Sequence, residues 1–187
     1  VWVLDVTGLA AESEWRVWLE PKFMQPAASG PVRGAERTVL AGGLWDGQEL
    51  NAFSKSQWET LGLDWASFER GALQQATWDL ERVEVRLDRD NRKVIRFAEL
   101  RSKEPLVASA VLAPGFGERF AQTLGDSFFV AVPSRYQAFI FPKLVGDPRE
   151  YTDLVVKGYK ATVYPVSLEL FEVSGGVLRA VGVFEMP

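Results

Sequence analysis

Neither histidine nor cysteine occurs anywhere in the 187 residues. Their absence excludes a Ser-His-Asp triad, a Cys-His pair and any zinc or haem site ligated by His or Cys from within this chain. It also removes the side chain that normally titrates near neutral pH, and it rules out a disulfide framework. No apolar run reaches the ~18–20 residues that a transmembrane helix needs, and Val1-Trp2-Val3-Leu4 lacks the basic and long apolar regions of a signal peptide. The expected location is therefore the cytoplasm, although a chain that opens on Val1 leaves room for a segment removed upstream. Positive charge is also in short supply, with 21 basic residues against 25 acidic and a net charge of −4. That balance gives no reason to approach a phosphate backbone, so neither nucleic acid nor membrane is expected as a partner.

What is present is a core-forming composition: 47% apolar residues, seven tryptophans and twelve phenylalanines. A chain of this length can bury roughly 70% of its unfolded surface, and most of the large rings should lie inside. Alternating apolar positions predict strands over 1–6 and 15–19, the second open to a helical reading because Ala10-Ala11-Glu12 precede it. From Pro21 to Gly34 the composition turns to Pro, Gly, Ala and Ser, which reads as a long loop. A division into N-terminal strands with a Pro/Gly-rich loop (1–34) and a main domain (35–187) follows.

Asp46-Gly47 predicts a hairpin turn, because both central positions tolerate positive φ. Ser54 or Ser56 should cap a short helix ending at Gly62, and Asp64 should cap a longer one. In that longer helix Trp65, Phe68, Ala72, Leu73, Ala76 and Leu80 form a single apolar stripe. Val83 to Leu87 and Val94 to Phe97 flank the turn Asp88-Arg89-Asp90-Asn91. Helical segments follow from Ala108 to Leu124, interrupted at Pro114-Gly115. Two apolar runs, 127–132 and 136–141, read as central strands joined through Pro133-Ser134-Arg135, a helix starts at Asp147-Pro148, and Ser174-Gly175-Gly176 closes a last hairpin. The order β-β-α-α-β-β-α-β-β-α-β-β predicts an α+β fold: a largely antiparallel sheet built from hairpins with three to four helices packed on it.

Three stretches carry a family likeness. Leu50 to Leu63, the helix ending Ala76-Thr77-Trp78-Asp79-Leu80, and Val111-Leu112-Ala113-Pro114 leading into the segment from Gly125 to Arg135 together resemble the YtpQ-like family of uncharacterised bacterial proteins. The likeness spans about residues 45–180. Where that family tends to have an acid after the Pro-Ser-Arg turn this chain has Tyr136, and where it tends to have Asn this chain has Asp79. The resemblance implies a fold and no activity.

Ser134, Arg135 and Tyr136 are the candidate ligand-binding residues, since an arginine emerging at a sheet end can grip a carboxylate or phosphate with its planar fork. A plain turn explains the same residues. Asp5 with Glu20-Pro21-Lys22 has the residue types of a Mg²⁺-dependent nuclease, yet Pro21 interrupts the strand and such triplets arise by chance. Asp88-Arg89-Asp90-Asn91 lacks the glycine of a calcium loop, and Gly115-Phe116-Gly117 lacks the context of a phosphate loop. The basic residues from Arg82 to Lys103 are interleaved with acids, and Asp147 and Glu150 suit a helix start. No cofactor or metal is expected. The sequence thus favours a non-catalytic protein binding a partner protein or a small ligand, with a carboxylate-based Mg²⁺-dependent hydrolase or nuclease as the alternative.

Overall fold

The computed structural model describes residues 14–144 and 146–185, so the strand expected over 1–6, Asp5 included, lies outside the described residues. The fold is α+β, with two antiparallel sheets rather than one. Trp15–Pro21 form β1, which settles the open reading of that segment in favour of a strand. β3 (Thr38–Trp45) is central in the smaller sheet. It pairs with β1 along one edge, from Trp15 opposite Leu44 to Pro21 opposite Thr38, and with β2 (Ser29–Pro31) and β4 (Leu50–Ala52) along the other.

The Pro/Gly-rich stretch is thus more than a loop. It holds a short 3-10 turn at Lys22–Met24 and then β2. Its glycine content has a packing reason: a Cβ on Gly30 would lie 2.1 Å from the Trp65 ring, and one on Gly42 would lie 2.6 Å from Phe68. Bare backbone lets the Trp65 and Phe68 rings settle directly on the sheet.

α1 (Lys55–Leu61) begins at a full capping box, in which the Ser54 side chain accepts from Gln57 N and the Gln57 side chain accepts from Ser54 N. α2 (Trp65–Glu81) begins at Asp64, whose carboxylate accepts from Ser67 N at 2.8 Å and is held below its ordinary pKa by that bond. Caps of this kind are worth about 1 kcal/mol each. Phe68, Ala72, Ala76 and Leu80 are buried along the predicted stripe.

The larger sheet runs β10-β9-β7-β8-β6-β5. It comprises β5 (Glu84–Arg89), β6 (Ile95–Arg101), β7 (Ser127–Ser134), β8 (Gln137–Pro142), β9 (Glu169–Ser174) and β10 (Val177–Val183). β7 and β8 are central, which explains their near-continuous apolar runs. Alternation splits their side chains between two cores. Phe128, Val130, Val132, Ala138 and Ile140 join the core shared with the smaller sheet, α2, α3 (Val107–Ala110) and α4 (Phe116–Leu124). Phe139, Phe141 and Ala131 face a second core under α5 (Thr152–Lys160), which a 3-10 turn at Pro148–Tyr151 introduces.

The described residues hold five α-helices, not three to four, because Pro114-Gly115 divides the 108–124 region into two separate helices. α3 touches β1 on one side and β7 and β8 on the other. Residues on both sides of position 34 therefore share one core. Among the tryptophans, Trp15 and Trp18 are buried and Trp45, Trp58 and Trp65 pack against the core, whereas Trp78 is 66% exposed. Among the described residues no helix is long and apolar enough to cross a membrane.

Candidate functional site

Ser134, Arg135 and Tyr136 form the turn from β7 into β8, and the structure places all three together at the end of the larger sheet. The backbone of Arg135 is anchored on both sides: its N–H donates to Tyr164 O at 3.2 Å and its carbonyl accepts from Val107 N at 2.9 Å. The side chain turns inward and is only 8% exposed. Nη2 donates to Glu20 Oε1 at 3.0 Å and to Oε2 at 2.9 Å, and Nη1 donates to Leu50 O at 3.3 Å. The guanidinium lies 4.8 Å from the Tyr164 ring centroid and 5.3 Å from that of Trp18, a double cation–π arrangement. The carboxylate expected from a ligand is thus supplied by the chain itself.

Glu20 is equally committed. Besides Arg135, its Oε2 accepts from Trp18 Nε1 at 2.6 Å, and Trp18 and Glu20 occupy alternate positions of β1. Both oxygens of Glu20 in the nuclease-like triplet are therefore engaged, and Lys22 is exposed on the 3-10 turn. The Ser134 hydroxyl accepts from Tyr136 N at 3.2 Å, a turn bond. Tyr136 is half-buried against Tyr164, and burial pushes its phenol pKa up, helped by Tyr164 and Glu49.

A second buried ion pair was not anticipated. Arg16 Nε donates to Asp79 Oδ1 at 3.2 Å and Oδ2 at 3.0 Å, and Ser109 Oγ donates to Oδ2 at 2.7 Å. Burial raises the Asp79 pKa, while Arg16 and Ser109 pull it part of the way back. This cluster joins β1, α2 and α3.

The remaining sequence candidates are local. Asp90 Oδ1 accepts from Arg92 N and Val94 N, each at 2.8 Å, closing the β5–β6 turn, and Asp88 pairs with Arg96 at 2.6 Å. Gly115 caps α4, and Asp147 accepts from Arg149 N at 3.0 Å and pairs with the Arg149 side chain. Among the described residues no group of three or more His, Cys, Asp or Glu side chains is placed to hold a metal ion.

An open pocket of about 380 Å³ lies elsewhere, at the β9–β10 edge, lined by Arg33, Glu172, Ser174, Val177 and Arg179. Arg179 stands opposite Glu172 in the hairpin and donates to Glu172 Oε2 at 2.8 Å. Lys143 and Ser127 also donate to Glu172, and these bonds hold its carboxyl at a pKa of about 2.

Arg33 arrives from the segment between β2 and β3. It makes a parallel bridge with Arg179, and Ala180 N donates to Arg33 O at 2.8 Å. Gly34 then turns away at φ +73°, where a Cβ would meet Ala180 O at 2.7 Å. Glu169 Oε1 fastens the same segment by accepting from Glu36 N at 2.8 Å and Arg37 N at 3.2 Å. The Arg33 guanidinium itself has no hydrogen-bonded or ionic partner among the described residues. The pocket thus has two cations and one carboxylate in its lining, and that carboxylate is already engaged by Arg179 and by Lys143 from outside it, which leaves a positive surplus in a chain of net charge −4.

Sequence reasoning missed this pocket because 33 and 179 are far apart in the chain and nothing local marks their pairing. Comparison of the chain with family models, with curated proteins and with solved structures gives no match.

Proposed function

We propose that the protein is a non-catalytic cytoplasmic binding protein whose ligand is a small anion held in the β9–β10 pocket. The observation that carries this reading is the cation surplus at Arg33 and Arg179 beside a cavity large enough for a small molecule. The acids that a hydrolytic mechanism would use are otherwise engaged: Glu20 by Arg135 and Trp18, and Asp79 by Arg16 and Ser109. A carboxylate whose lone pairs are filled from within is poorly placed to activate water or to ligate Mg²⁺. Nucleic acid is not the partner in this reading, because three of the five arginines of the β5–β6 hairpin are paired in place, Arg86 with Glu84, Arg96 with Asp88 and Arg101 with Glu99, and Arg89 donates to Lys93 O. The likeness to the YtpQ-like family belongs to the same proposal.

The test is a thermal-shift screen of small anions, neutral metabolites and divalent cations, paired with hydrolysis assays on phosphoesters. A stabilising shift with anions and no turnover is expected. Turnover that depends on Mg²⁺ would replace this reading with the hydrolase alternative.

A further inference from the structure

The identity of the anion can be narrowed from the way the two arginines are placed. Cross-strand neighbours of like charge destabilise a sheet, and paired strands lie only about 5 Å apart. Arg33 and Arg179 are such neighbours, bridged in register, and the pocket's one carboxylate, Glu172, lies on β9 beyond Arg179 and is shared with Lys143. Gly34 and the Glu169 bonds to Glu36 and Arg37 hold Arg33 in that position despite the repulsion.

On this reading of the pocket as an anion site, we propose that it binds the terminal phosphate of a small phosphate monoester. A phosphate monoester carries about −1.5 to −2 charge at neutral pH on three acceptor oxygens. The net positive lining matches that charge, and the unengaged fork of Arg33, the donors of Arg179 not taken by Glu172 and the Ser174 hydroxyl match the three oxygens. A single carboxylate offers two oxygens, so it would leave one of these three donor groups without a partner. The Ser174 hydroxyl supplies a neutral donor at the wall, and Val177, 47% exposed, supplies an apolar surface for the organic part of the ester. Arg33 lies between β2 and β3 of the smaller sheet and Arg179 on β10 of the larger, so the bound phosphate adds to the backbone bridge that ties this segment to β10.

Calorimetric titration of the whole chain with inorganic phosphate, then with succinate and acetate, in low-salt buffer tests this. Saturable phosphate binding is expected, weakened about tenfold or more in Arg33→Gln and less in Arg33→Lys. The Arg33 side chain has no partner among the described residues, so Arg33→Gln should keep the wild-type melting temperature, and its loss of binding is not a loss of fold. Phosphate binding unchanged in Arg33→Gln would overturn the proposal. Preference for succinate would overturn the ligand class and leave an anion-binding protein standing. Failure of every anion to bind would overturn both.

Discussion

The two arginine sites of this protein use the same functional group to opposite ends. At the β7–β8 turn Arg135 is buried, flanked by two rings and satisfied by both oxygens of Glu20. At the β9–β10 edge Arg33 and Arg179 line an open pocket in which Glu172 engages Arg179 and not Arg33. A guanidinium supplied with its carboxylate by the chain joins sheets and turns, whereas one left with a charge surplus at a cavity is available to something outside. The presence of arginine at a sheet end therefore says little until its partner is known.

The largest effect should come from separating the first pair. Arg135→Ala leaves Glu20 buried and uncompensated and is expected to cost about 3–5 kcal/mol in denaturant unfolding, whereas replacing Arg135 and Glu20 together by Met should cost much less. A single substitution that costs under about 1 kcal/mol would break the contrast, since Arg135 would then be as free as Arg33.

Glu172→Gln should have a middle effect, on the order of 1 kcal/mol, because its partners Lys143 and Arg179 are half-exposed. Its folded pKa of about 2 lies below the ordinary 4.5. The stabilisation is therefore present above pH 4.5 and is lost as the pH falls toward 2. Stability curves of wild type and variant should converge over that interval, and curves that stay parallel through it would show that Glu172 is not the neutralising group.

The smallest effect is expected for Arg33→Gln, within about 0.5 kcal/mol and toward greater stability, because it relieves the repulsion with Arg179. Urea unfolding that shows a clear loss instead would mean that Arg33 is a structural residue like Arg135.

Local patterns were the most legible part of this chain. The α2 stripe, the caps at Ser54 and Asp64, the Asp46-Gly47 turn and the break at Pro114-Gly115 all depend on residues within a few positions of one another, so spacing alone identifies them. β2 escaped because Ser29-Gly30-Pro31 has no alternation to read; its glycine is there for the Trp65 ring that arrives from α2. Arg135 stands out in the sequence as a candidate ligand-binding residue, but the partner it meets lies 115 positions away on β1. Asp79 likewise meets Arg16 across 63 positions.

The sequence by itself determined the α+β class, the hairpin order, most helix boundaries and the absence of histidine and cysteine chemistry, because these follow from composition and short-range periodicity. Tertiary structure alone decided which charges are spent and which are spare. An ionisable side chain reaches a partner by the packing of distant strands, and whether it is filled from inside or left open to a ligand depends on which strand lies beside it.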